Sequence, residues 1–136
     1  MTAEVEAANT ALYEALESAD VDRMASVWDA DEPDALVCVH PGWPMLRGRR
    51  QVLRSFAAIM ANTPYIQFFL TDVEVSVLGS VASVACTENV LTADDRVGTD
   101  VFGGARAVAT NVFVRTPDGW RLWIHHASPV LSTGHD

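Results

Sequence analysis

The hydropathy period of this 136-residue chain changes once, and that change limits the fold class. Up to Met60 apolar side chains recur at helical spacing, whereas from Tyr65 onward they alternate with polar ones, and Thr63-Pro64 stands at the switch. Proline disfavours helical backbone at the residue before it, so the third helix stops there. A chain with three helices N-terminal, interrupted by one short strand over Ala35 to His40, and its long strands in one C-terminal block does not build alternating βαβ units. It predicts an α+β fold, three helices packed on one face of a mostly antiparallel sheet.

Val5, Ala8, Leu12, Ala15, Leu16 and Ala19 form the apolar stripe of a helix over about Thr2 to Ser18. Asp20 or Asp22 can cap a short second helix carrying Met24, Val27 and Trp28, which the acidic stretch Asp29 to Asp34 ends. Ala35 to His40 is a short strand, and Val52, Leu53, Phe56, Ile59 and Met60 mark the third helix. Val73, Val75 and Val77 then share one face of a half-buried strand, and Gly79-Ser80 supplies a two-residue hairpin of the type II′ kind. Strands follow from Val81 to about Leu91, from about Phe102 to Arg115 and from Trp120 to Val130. They are separated by a polar loop over Ala93 to Val101 and by the turn Thr116-Pro117-Asp118-Gly119. With no repeat or linker in the chain, residues 1–136 make a single domain.

Charge narrows the partners. Nine Arg and no Lys stand against eighteen Asp plus Glu, a formal net charge of −9. Phosphate backbones and anionic membranes repel that balance, so neither nucleic acid nor a membrane is expected as a partner. Arg47, Arg49, Arg50 and Arg54 are expected on the solvated face of the third helix. The acidic first twenty residues are unlike a signal peptide, and no apolar run approaches a membrane span, which places the protein in the cytoplasm. Cys38 and Cys86 sit in apolar strand sequence, where buried free thiols are expected. The all-Arg, Ala-rich bias is a coding habit of GC-rich bacterial genomes.

Common phosphate-binding, hydrolase and zinc signatures are absent. His125 and His126 are neighbours in a strand and point to opposite faces, so they cannot share one metal ion, and no metal site is expected. Strict alternation along the last strand puts Leu122, Ile124, His126 and Ser128 on one face and Trp123 with His125 on the other. Both faces carry bulk, and one set of helices covers only one of them. The outer face is therefore expected to pack against a second subunit as a homodimer. His40, at the exit of a strand and held by Pro41, is suited to proton transfer near neutral pH, or to a structural hydrogen bond in a tight turn. Trp28, Trp43, Phe56 and Phe113 are candidate ligand-binding walls or plain core. Glu88 and Glu74 could supply a carboxylate or lie exposed on the sheet.

His40-Pro41-Gly42-Trp43-Pro44 with Leu46-Arg47-Gly48-Arg49, then Thr110-Asn111-Val112-Phe113-Val114-Arg115, Trp120-Arg121-Leu122 and His125-His126-Ala127-Ser128-Pro129, resembles the SnoaL-like branch of the nuclear transport factor 2-like superfamily. The resemblance covers nearly the whole chain. It implies the NTF2-like, or cystatin-like, cone: three helices wrapped by a curved sheet around an apolar pocket, usually dimeric through the outer sheet face. It also implies an apolar small-molecule ligand and chemistry without a cofactor. The reaction stays open among isomerase, cyclase and dehydratase, with a non-catalytic ligand-binding or dimerisation module as the alternative. Beside ketosteroid isomerase, a member of that superfamily, His40 matches the general-base position and Asn111 the hydrogen-bond donor to the oxyanion. The isomerase's helix-one tyrosine has no match, because Leu12 falls at that register and Tyr13 is one residue away. The same register points Leu122, Ile124, His126 and Ser128 toward the helices and the pocket, with Trp123 and His125 outward. The site implied is His40 as proton acceptor, Asn111 as oxyanion donor and His126 as acid or orienting partner, on an apolar cyclic ligand bearing a carbonyl or hydroxyl.

Overall fold

The computed structural model describes residues 2–93 and 102–131. The helical block becomes α1 (Thr2–Glu17), α2 (Val21–Val27) and α3 (Arg49–Asn62), and the strand block becomes β3 (Ile66–Leu78), β4 (Val81–Ala93), β5 (Phe102–Thr116) and β6 (Gly119–Pro129). Between α2 and α3 lie a single 3-10 turn, Pro33–Ala35, and two short strands, β1 (Val37–Val39) and β2 (Leu46–Arg47). The sheet order is β2-β1-β6-β5-β4-β3, antiparallel throughout except where β1 runs parallel to β6. This is the expected α+β architecture. The loop expected over 93–101 lies, beyond Ala93, outside the described residues.

Local chemistry explains the boundaries. The Asp20 side chain accepts from the Arg23 backbone N–H at 3.0 Å and caps α2, leaving one fewer unpaired donor at its first turn. α3 stops at Asn62, with Thr63 already extended before Pro64. At the β3–β4 hairpin Gly79 takes φ +64°, the conformation its lack of a Cβ allows. Thr116 locks the last turn, its hydroxyl donating to the Gly119 carbonyl and accepting from the Asp118 N–H.

The core lies between helices and sheet, built from Val5, Leu12 and Leu16 of α1, Met24 and Trp28 at α2, Val52 and Phe56 of α3, and Val84, Phe113 and Leu122 from the strands. Both cysteines are buried and free. Arg49 departs from the expected solvated face. Its guanidinium donates to the backbone carbonyls of Ala25, Trp28 and Asp29 at 2.6, 2.9 and 3.0 Å, satisfying the end of α2 from the start of α3. Arg50 and Arg54 are exposed on α3 as expected, while Arg47, also exposed, lies in β2 ahead of the helix instead of on it.

Two β-bulges break the strict alternation assumed from sequence. In β3 the pairing moves from Thr71↔Thr87 to Glu74↔Ala85, with Asp72 at φ +54°, so Val75 and Val77 pack on the core while Val73 is exposed. In β6 the pairing moves from Phe113↔Leu122 to Val112↔Ile124, which makes Trp123 the extra residue. Leu122 still faces inward, but past the bulge the inward positions are His125 and Ala127. The expected facing of Ile124, His126 and Ser128 toward the helices is therefore reversed. His126 lies exposed on the outer face, in a shallow groove of about 390 Å³ with Val108, Thr110, Ile124 and Ser128.

Candidate functional site

His40 leaves β1 and enters the interior, 5% exposed. Its Nε2 lies 2.9 Å from Ser55 Oγ, and Ser55 in turn donates to the Val52 carbonyl at 2.6 Å. A hydroxyl whose proton is committed to its own helix offers a lone pair, so His40 donates through Nε2 and keeps Nδ1 as its lone-pair nitrogen. Phe56, one residue after Ser55, meets the imidazole edge-on with centroids 4.7 Å apart. Trp43 does the same at 4.8 Å while remaining 42% exposed, so it covers His40 from the solvent side. Trp28 packs on the far side of Phe56, 6.0 Å between centroids.

The second imidazole is His125, with its centroid 6.1 Å from that of His40 and 6.4 Å from that of Phe56. Its Nδ1 lies 2.6 Å from Asn111 Oδ1. Asn111, fully buried on β5, gives both amide hydrogens to α1: to Asn9 Oδ1 at 2.8 Å and to the Tyr13 hydroxyl at 3.1 Å. Tyr13 donates onward to Glu88 Oε2 at 2.6 Å. A continuous buried chain therefore runs Glu88, Tyr13, Asn111, His125, with His40 and Ser55 beside its end.

Burial sets the electrostatics. Removal from water penalises the imidazolium and lowers His40 to about 4, and the same effect, with His40 and His126 nearby, lowers His125 to about 3. Both are neutral at pH 7. Burial pushes the Glu88 carboxyl above the usual carboxylate range, opposed by the Tyr13 hydrogen bond. It also raises the Tyr13 hydroxyl, with the Glu88 charge adding to the effect, and moves the Cys38 thiol up to about 12. Among the described residues no three His, Cys, Asp or Glu side chains group closely enough to hold a metal ion.

Of the residues singled out in the sequence, the structure gathers His40, Asn111, Phe56, Trp43 and Trp28. Phe113 is buried on the inner face two residues from Asn111. His126 is excluded, and His125 occupies the interior position expected for it. Tyr13 and Asn9 were not assigned roles, whereas of the two carboxylates considered Glu88 is buried and joins the chain and Glu74 lies exposed on the sheet. Tyr13 and Asn9 sit one turn apart and share the buried face of α1 with Val5, Leu12 and Leu16, a helical spacing visible in the sequence. Glu88 alternates in phase with Ala82, Val84 and Cys86, all buried, which marks it as inward-facing.

A family model described as a SnoaL-like domain matches residues 5–132. The chain belongs to the SnoaL-like family. Among solved structures, a candidate dehydratase of the NTF2-like family from Streptomyces avermitilis is 54% identical, covering 96% of this chain and 97% of that one, with a TM-score of 0.90. A candidate calcium/calmodulin-dependent protein kinase type II association domain from Thiobacillus denitrificans is 30% identical over 93% of this chain and 94% of its own, TM-score 0.79. An NTF2-like superfamily protein from Salmonella enterica, 18% identical over 97% of this chain and 92% of its own with a TM-score of 0.80, shares the fold. No curated protein matches. The SnoaL-like domain thus has the NTF2-like, cystatin-like fold, and among its described residues no helix is long and apolar enough to cross a membrane.

Proposed function

We propose that this SnoaL-like domain is an acid–base enzyme that needs no cofactor and acts on an apolar cyclic ligand carrying a carbonyl or hydroxyl. The observation that carries this reading is the pair of buried, neutral imidazoles, His40 and His125, 6.1 Å apart against the apolar wall of Phe56. A neutral imidazole accepts a proton. Burial, which lowers His40 to about 4 instead of leaving it near the neutral range expected from its type, weakens it as a base and makes its conjugate acid return the proton readily.

The dehydratase description of the 54%-identical Streptomyces avermitilis protein favours dehydration over isomerisation or cyclisation. In that reaction His40 takes the proton next to the carbonyl, the C–H electron pair becomes the new C=C bond, and the C–O bond breaks. The hydroxyl leaves as water with the proton that His40 returns. His125 orients the leaving oxygen, the part expected of His126. Asn111, with its amide hydrogens engaged by Asn9 and Tyr13, acts on His125 rather than as an oxyanion donor. A second copy of the chain would cover the outer sheet face around Val108 and Ile124, giving a homodimer.

The test is His40→Ala, screened against cyclic hydroxy-ketones by thermal shift and turnover. Loss of a positioned acid–base group is expected to lower turnover about 10²- to 10⁴-fold with the fold retained. Unchanged binding and turnover would make His40 structural and overturn the reading.

A further inference from the structure

The buried chain from Glu88 to His125 has a direction, and the direction decides which nitrogen of His125 is basic. Glu88 Oε2 accepts from Tyr13, the only described donor to that carboxyl. Tyr13 has then spent its single proton, so its oxygen meets Asn111 as an acceptor and takes an amide hydrogen at 3.1 Å. Asn9 Oδ1, on the same face of α1, takes the other amide hydrogen at 2.8 Å. With its NH₂ group held at that end, Asn111 turns its carbonyl oxygen to His125 at 2.6 Å. A carbonyl accepts only, so the proton of a neutral His125 resides on Nδ1 and Nε2 carries the lone pair. Each step follows from the donor and acceptor inventory of the group before it.

We infer that Glu88 is a positioning residue, which acts through Tyr13 and Asn111 to hold His125 as its Nδ1–H tautomer and so presents Nε2 as a proton acceptor. The inference deepens the reading of His125 in the proposed function and rests on that reading for its catalytic meaning. The hydrogen-bond polarity itself does not depend on any reaction. Reversal of the first bond would propagate. A donor in place of Glu88 Oε2 lets the Tyr13 hydroxyl turn toward Asn111, the amides of Asn111 and Asn9 rotate together so that Asn9 Nδ2 donates to Asn111 Oδ1, and the Asn111 NH₂ meets His125 Nδ1. The histidine proton then moves to Nε2, and an acceptor becomes a donor.

The experiment is nitrogen-15 NMR of histidine-labelled, ligand-free protein near pH 7, with the His125 signals assigned by their loss in His125→Gln. Wild type is expected to show one tautomer, protonated at Nδ1. Glu88→Gln keeps the shape but brings an amide nitrogen that can donate to Tyr13, and is expected to raise the Nε2–H share of His125 by about fivefold or more, the weight of one ordinary hydrogen bond. Tyr13→Phe cuts the chain between Glu88 and Asn111 and is expected to move the ratio the same way. The His40 tautomer, set by Ser55, is expected to stay unchanged in both variants, which separates polarity from general loosening. A wild-type His125 protonated at Nε2 overturns the inference without any variant. So does an unchanged tautomer in a folded Glu88→Gln or Tyr13→Phe protein. A shifted tautomer in a domain that turns over no ligand upholds the polarity and rejects the enzymatic reading, so the two failures are distinguishable.

Discussion

Two imidazoles buried within 6.1 Å of each other are stable only while neutral, and this ties the domain to pH. Unfolded histidine titrates near 6.5, whereas folded His40 is lowered to about 4 and His125 to about 3. As the pH falls below about 6.5 the unfolded chain takes up protons that the folded one refuses, so stability decreases until the folded values are reached. For His40 alone the loss amounts to about 3 kcal/mol by pH 4. Glu88 has the opposite sign, since its raised value contributes stability below 4.5 that is lost as the pH rises through its folded value. Thermal melts from pH 7.5 to 4 should show a falling midpoint in wild type and a flatter profile in His40→Gln, which removes one of the two histidine terms. An equal slope in both would show that His40 is not buried neutral. At the same scale, Ser55→Ala leaves His40 Nε2–H without its acceptor, and denaturant unfolding should register a loss of about 1–3 kcal/mol.

At the scale of elements, α2 has seven residues, too short to be stable alone, and is held at both ends. Asp20 caps its start, and Arg49 takes three carbonyls at its end. Asp20→Ala is expected to cost about 1 kcal/mol. Arg49→Ala should cost more, about 2–3 kcal/mol, because a charged donor is lost and partly buried carbonyls are left without a partner. Denaturant midpoints of the two variants check the order. The Asp20 cap was legible because capping is local, resolved within three residues of chain. The Arg49 contact was not, since its acceptors lie 20 to 24 residues away and become neighbours only when α2 and α3 pack. Strand order and hairpins were likewise legible from alternation and turn residues. The bulges at Asp72 and Trp123 were not, because an added residue that fits either face leaves no trace in hydropathy.

For the whole molecule, the outer sheet face is where an aliphatic surface meets solvent. Val108 is 49% exposed there, beside Ile124 in the groove that also holds His126. If a second subunit covers this face, Ile124→Arg should convert a dimer to a monomer in sedimentation velocity while the His40 and His125 resonances stay in place. A monomeric wild type would reject the homodimer. By itself the sequence determined the α+β class, the order of elements, the SnoaL-like family and the placing of His40 and Asn111 on the sheet. Those depend on periodicity, turns and motifs carried along the chain. Only the tertiary structure decided which of His125 and His126 enters the interior, that Tyr13 and Glu88 join Asn111, and that Arg49 is a staple rather than a surface charge. A one-residue bulge reverses every side chain beyond it, and partners as far apart as Asn9 and Asn111 share no local pattern until α1 lies against β5.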